Sequence, residues 1–442
     1  MKRVKIRRIA AVLGFFLLWV GLEFCVRFFT EPFVQAWPMI REDRKAVEGR
    51  IDTVFLGASL FGNGIIPEAF DEILGSRSFN SATASQSIQL SQYALEDVSE
   101  TNPIELALID VSVNRLIADS GDEMSIAKHV VLSHMINRKA QWILLQDCFT
   151  LDEIALTVLH SVRDQFHFFR GTLRKRLKLS YFRDYLKFGY VPDGEYLIGS
   201  NGYVPKYDKF SDGWKLIGKH ANIRASISDH SQQELERVIR QCREKGIAPV
   251  LISMPTTDAY MLYCDSYQAL HTSVKALARR EGVPYLDFNL SRFRVYSLTD
   301  SNFSDERHMN NSGAELFTPL LAEVVGKAQA GEDVSGYFFS SYEEMIHNVD
   351  RVAAVKLEVL SSGGGLMLVA DSLHGPDILP TYRFYAMAKG APEKGFWMLE
   401  SSSDTCALDS LEPGTYEVRV EASGASGSGP DAYAETTVTI KQ

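Results

Sequence analysis

Apolar and polar positions follow two different rhythms along this chain, and the rhythm changes near residue 336. Before that point, short apolar runs at 51–56, 106–111, 249–254 and 283–288 alternate with segments whose apolar residues recur every three or four positions. Such segments lie at 67–74, about 87–99, 231–245, about 265–281 and about 312–328. Buried strands alternating with amphipathic helices predict a parallel sheet covered by helices on both faces. The punctuation agrees: Gly246 stops the helix carrying Leu235, Val238, Ile239 and Cys242. Ser312-Gly313-Ala314-Glu315 reads as a capping box opening the last helix. After residue 336, short alternating runs at 354–359, 366–370, 382–388, 396–400 and 416–422 are separated by Gly, Pro, Asp and Ser. These predict a C-terminal β-sandwich, Ig-like or fibronectin-like, over 351–442.

The first rhythm is interrupted at about 119–230. Helical stretches run from about 124 to 188, and a Gly-, Tyr- and Pro-rich loop spans 189–213. This is an insertion into the α/β domain, either a lid over its site or a helical packing cap. Upstream, residues 30–50 read as a polar stem.

The N-terminus changes the picture most. Lys2, Arg3, Lys5, Arg7 and Arg8 precede an apolar run from Ile9 to Leu22, which continues through Glu23 and Arg27 to Phe29. A bilayer core needs about 20 apolar residues in a helix, and the segment reaches that length if Glu23 and Arg27 sit at the far interface. Those two residues are one turn apart and suit a structural ion pair. No small-x-small cleavage site follows, and large residues precede Cys25, so an uncleaved anchor is favoured over a signal peptide. The basic flank predicts a cytoplasmic N-terminus and an exported remainder.

Composition then excludes several classes. The net charge is -10, and no basic helix interleaved with aromatics occurs beyond the extreme N-terminus, which argues against nucleic acid as a partner. The basic stretch 170–178 reads as a solvated or membrane-facing surface. Five cysteines without a CxxC make neither a zinc site nor a disulfide framework, although a single bridge is open to an exported domain. Asp300, Asn302 and Asp305 lack the full oxygen cage a metal needs, and no cofactor or metal is expected.

Two remote motifs carry the chemistry. Gly57-Ala58-Ser59-Leu60 ends the first strand, at the sheet edge where open α/β folds place ligands. Ser304-Asp305-Glu306-Arg307-His308 puts Asp and His three apart in a loop before the last α/β helix. A serine needs a base to take its proton and a third group to orient that base. The two motifs supply all three.

These residues resemble the SGNH/GDSL hydrolase superfamily over about residues 50–328. The resemblance implies a flavodoxin-like three-layer α/β/α sandwich spanning 31–335, with the insertion inside it and the anchor at 1–30. It implies Ser59 as nucleophile, His308 as base and Asp305 as orienting acid. Ala58 stands where the family's Gly-Asp-Ser-Leu block has Asp, which is not the triad acid. The family's oxyanion donors map onto the Ser59 backbone N–H, the loop at Ser81 or Ala82, with Ala82 as the expected donor, and Asn114 in Ser112-Val113-Asn114, where Ser112 replaces Gly.

The anchored layout is similar to membrane-associated proteins that D-alanylate teichoic acids or O-acetylate polysaccharides. It implies an extracytoplasmic serine esterase or O-acyltransferase acting on acylated envelope polysaccharide or a teichoic-acid-like polymer. A membrane acyl-donor protein is the expected partner in the transferase case. The alternative is a non-catalytic envelope-biogenesis scaffold with a degenerate SGNH fold, whose sandwich does the binding.

Overall fold

A computed structural model of the chain describes residues 2–30, 36–113, 116, 123–158, 176–188, 199–210, 227–264, 266–362, 365–390, 397–401, 403–424 and 430–441. Its first body is a five-stranded sheet. The strands are β1 (Thr53–Leu56), β2 (Ser78–Asn80), β3 (Leu106–Asp110), β4 (Ala248–Ser253) and β5 (Tyr285–Asp287), in spatial order β2-β1-β3-β4-β5. All neighbours are parallel, with Thr53 opposite both Ser78 and Leu106, and Leu106 opposite Ala248.

Alternation within each strand explains the layers, because successive side chains of a strand point to opposite faces. Val54, Leu56, Ala107, Ile109 and Leu251 enter one core, where they meet Leu95, Val98, Leu235, Val238 and Val274. The intervening Phe55, Leu108, Val250 and Ile252 enter the other, with Phe61, Phe70, Phe317 and Leu321. Helices Ile88–Ser99, Asp229–Glu244 and Tyr267–Glu281 cover the first face; Ser59–Gly64, Pro67–Leu74 and Asn311–Gln329 cover the second. This is the expected α/β/α sandwich. Strand order reverses at β1, so the crevice used by ligands lies at its carboxyl end.

The sequence motifs placed the helices well, with one correction. The last helix is capped by Asn310, whose Oδ1 accepts from the Gly313 N–H at 3.1 Å, and Ser312 donates its hydroxyl to the same oxygen at 2.7 Å. The cap therefore lies two residues earlier than the predicted box. The polar stem contains a helix, Ala36–Val47, which the sequence reading did not assign.

Within the insertion, Glu123–His134 and Arg138–Cys148 pack against Ile88–Ser99. Leu90, Val131, Met135, Ala140 and Leu144 form a small core of their own there. Buried Asp97 accepts the Ile136 and Asn137 N–H groups at 2.9 and 2.7 Å and pairs with Arg44 of the stem helix. This portion is a packing cap. None of the five cysteines, all of them among the described residues, forms a disulfide.

The second body has strands β6 (Val352–Ser362), β7 (Gly365–His374), β8 (Thr381–Ala388), β9 (Trp397–Ser401), β10 (Thr405–Ala407), β11 (Gly414–Ser423) and β12 (Ala432–Ile440). They form two antiparallel sheets, β10-β7-β6 and β12-β11-β8-β9. Leu357, Leu368, Phe384, Val418, Val420 and Val438 fill the space between them. β10 and β12 were missing from the sequence reading. β10 is only three residues long, and β12 turns small Ala434 inward where a large apolar residue would have marked the strand. The sandwich packs through β6 and β7 against the short helix Asp258–Tyr263.

At the N-terminus a single helix spans Lys2–Thr30, and its Arg8–Val26 stretch is long and apolar enough to cross a bilayer. The Arg27 side chain of the expected pair with Glu23 lies outside the described residues, as do 170–175 of the basic stretch.

Candidate active site

The serine arm is built by the sheet. β1 delivers Gly57 against Asp110 at the end of neighbouring β3, so closely that a Cβ on Gly57 would lie 2.4 Å from Asp110 Cβ. Only glycine fits there. Asp110 then accepts the Ala58 N–H at 3.3 Å and the Ser112 N–H at 2.9 Å, tying the turn to the next strand end. Ala58 is extended, and Ser59 begins the helix Ser59–Gly64. Its hydroxyl therefore leaves the carboxyl edge of the sheet.

The second arm is a loop closed on itself. Asp305 Oδ1 accepts the backbone N–H groups of Arg307 and His308 at 3.0 and 2.9 Å, a local turn that Asp side chains favour. Both carboxylate oxygens also lie 2.8 Å from His308 Nδ1. The other ring nitrogen, Nε2, is 2.7 Å from Ser59 Oγ. The network assigns the proton to Nδ1 and leaves Nε2 to accept from the serine. The structure thus joins Ser59, His308 and Asp305, 246 or more residues apart at the serine end, in one hydrogen-bonded chain.

Burial alone would raise the Asp305 carboxyl. The hydrogen bond and charge of His308, with the two backbone donors, outweigh burial and hold it well below the usual carboxylate range.

Remote segments fix this loop. Thr257, at the start of helix Asp258–Tyr263, donates both its N–H and its hydroxyl to the Glu306 carbonyl, at 3.2 and 2.8 Å. Residues 199–210 form a strap that touches both arms. It starts with a tight turn at Asn201-Gly202, both with positive φ, a pairing that suits this dipeptide. Asn80 donates its N–H to the Asn201 carbonyl at 2.8 Å, and Val204 donates to Gly62 at 2.8 Å. Farther on, Asn311 donates to the Lys206 carbonyl at 2.6 Å and Phe210 to the Phe303 carbonyl at 2.7 Å. Lys206 Nζ reaches Asp305 Oδ2 at 3.5 Å.

The expected oxyanion donors fare unequally. Ser59 N–H sits at the first position of its helix, where backbone donors lack an intrahelical partner. Ala82 is buried beside the site, but its N–H is engaged by Asn80 Oδ1 at 3.2 Å. Asn80 is in turn held by the Phe61 and Ile65 carbonyls, which aims its amide oxygen inward. Asn114 lies outside the described residues. Asp110, Thr257 and Lys206 were not singled out in the sequence. The Asn-Gly dipeptide at 201–202 was the one available signal for the strap that brings Lys206 in.

Asp300, Asn302 and Asp305 do not converge. Asn302 Oδ1 accepts the Thr299 N–H at 3.0 Å, while Asp305 is turned to His308. Among the described residues, no group of three or more His, Cys, Asp and Glu side chains is placed to hold a metal ion.

No protein-family model matches the chain, and no curated protein matches it. Among solved structures, it is similar to a GDSL-like lipase from Bacteroides thetaiotaomicron at 10% identity, covering 67% of this chain and 100% of that one, with a TM-score of 0.30. It is also similar to a G-D-S-L family lipolytic protein from Desulfitobacterium hafniense, at 11% identity over 62% and 99% of the two chains, with a TM-score of 0.29. An acylhydrolase from Bacteroides fragilis matches at 11% identity over 66% and 98%, with a TM-score of 0.29. These structural neighbours are GDSL-like lipases and acylhydrolases.

Proposed function

We propose that the chain is a membrane-anchored serine esterase or O-acyltransferase of the SGNH/GDSL type. Its substrates in this reading are acylated envelope polysaccharides or teichoic-acid-like polymers. One observation carries the proposal: the continuous hydrogen-bonded chain from Ser59 Oγ through His308 to Asp305. The Arg8–Val26 stretch supports the anchor, and its basic flank favours an N-terminus in the cytoplasm with the site outside.

In this mechanism Ser59 Oγ attacks the ester carbonyl carbon while its proton passes to His308 Nε2. Asp305 stays ionised and stabilises the imidazolium. The Ser59 N–H donates to the developing oxyanion, and the Asn114 side-chain amide is the second donor that the family resemblance implies. His308 returns its proton to the departing alkoxide, leaving an acyl-Ser59 ester. Water or a sugar hydroxyl, deprotonated by His308, then attacks that ester and releases Ser59. In the transferase case a membrane partner supplies the acyl group.

A second reading has one observation in its favour. The Ala82 N–H is occupied by Asn80, as in a scaffold that has given up its oxyanion hole. A fluorophosphonate probe separates the two. The full chain in detergent should label at Ser59, and Ser59→Ala should abolish labelling and lower nitrophenyl acetate hydrolysis by about 10³-fold or more. An unlabelled parent protein would leave the scaffold standing.

A further inference from the structure

The helix Leu179–Phe188 sits beside the outer end of the anchor. Phe28 lies in the last turn of the Lys2–Thr30 helix, and its ring meets Tyr181, Phe182 and Tyr185 edge-on, with centroids 5.6, 5.6 and 5.0 Å away. Phe24, one turn earlier, meets Tyr185 as well. The buried Arg176 guanidinium donates to the Phe28 carbonyl. Last-turn carbonyls have no intrahelical donor, and a cation there also meets the negative end of the helix dipole. The short helix is therefore fastened to the anchor by an aromatic cluster and by a cap.

Among the described residues its other face is largely uncovered, with Phe182 at the boundary between the two. Leu179 is 82% exposed, Phe182 40% and Leu186 58%, and just before the helix Leu177 is 66% exposed. Positions 179, 182 and 186 are three and four apart, so they form one stripe along the helix. The Tyr181–Tyr185 side packs on the anchor, while Lys178 and Arg183 lie exposed alongside. An apolar stripe flanked by cations is the pattern of a helix lying in a membrane interface. Its height agrees, because the apolar Arg8–Val26 stretch ends two residues before Phe28.

We propose that Leu179–Phe188 is an interfacial membrane helix, its Leu179, Phe182 and Leu186 stripe seated among lipid acyl chains where the anchor emerges. The partner is a lipid surface, with Lys178 reaching back toward the phosphates as long cationic side chains do. The proposal rests on the anchor reading above. It ties the insertion to the bilayer and fixes how far the catalytic body stands from it.

The test uses the full chain in nanodiscs of phosphatidylcholine and phosphatidylglycerol, doped with a lipid carrying a diazirine near its headgroup. After irradiation, labelled peptides are mapped by mass spectrometry. Label is expected both within 8–30 and within 176–188. Leu179→Glu combined with Leu186→Glu should cut labelling of 176–188 at least fivefold and leave 8–30 unchanged. The variant's thermal transition in detergent should match the parent's, since these side chains are exposed. Label in 8–30 but not in 176–188 overturns the interfacial helix and leaves the anchor intact. Absence of label from both segments overturns the anchor itself. Protection of 176–188 in particles containing two copies assigns the stripe to a second chain and also overturns the proposal.

Discussion

The two arms of the candidate site, called the nucleophile arm and the base arm after the proposed roles of Ser59 and His308, are built in opposite ways. The nucleophile arm takes its position from the sheet: β1 ends, Gly57 presses on Asp110, and Ser59 starts a helix. The base arm has no sheet beneath it. Its 304–308 loop is held by Asp305 from within, by Thr257 from beyond β4, and by the strap at Lys206 and Phe210. A motif beside a strand inherits its geometry from its neighbours in sequence, whereas a motif in a loop depends on segments about 50 and 100 residues away.

The sharpest way to break the comparison is at the centre of the base arm. Asp305→Asn keeps the side chain's shape but reverses the hydrogen bond to His308 Nδ1, and kcat should fall by about 10⁴-fold. In the parent, His308 and the two backbone donors hold the Asp305 pKa below the usual range, so its charge survives as pH falls. The acid side of the kcat/KM profile should therefore lose one decade per pH unit down to about pH 4. A slope of two would mean that Asp305 also takes up a proton there.

On the nucleophile arm, the matching test is Gly57→Ala. The new methyl meets the Asp110 side chain and the Phe61 ring, both of which are buried. We expect a loss of about 2–3 kcal/mol in denaturant unfolding. An unchanged midpoint would show that the sheet does not dictate this turn.

A smaller effect separates the tethers of the base arm. Thr257→Val removes the hydroxyl donor to Glu306 but keeps the N–H donor. It should cost about 1 kcal/mol, read as a roughly fivefold fall in kcat/KM. The smallest effect is expected of Lys206→Met. Its ion pair with Asp305 is partly exposed and 3.5 Å long, so kcat/KM should change by less than about threefold. High salt should mimic the substitution in the parent. A tenfold loss would promote Lys206 from tether to an essential part of the base arm.

The same asymmetry governs what could be read from sequence. Four strands and five helices of the α/β body announced themselves because their apolar residues repeat with the period of their structure. Gly57-Ala58-Ser59 and Asp305-x-x-His308 were legible because each is a local pattern next to a predicted element. β2 has three residues and looked like the entrance to a loop. Residues 199–210 hold the two arms largely through backbone hydrogen bonds, which leave no mark on residue type. Asp110 looked like the polar end of an apolar strand, although its carboxylate organises the serine turn. Ala82 was placed near the site by the resemblance, but the competing acceptor came from the Asn80 side chain two residues away.

One short helix, Asp258–Tyr263, has a consequence for the whole molecule. Its outer surface bears the sandwich, and its first turn begins at the threonine that grips the histidine loop. Asp258 within it also joins Arg294 of one body to Arg351 at the threshold of the other. The two bodies share these six residues, so a strain on the distal β-strands would be felt first at the Ser59–His308–Asp305 chain through Thr257.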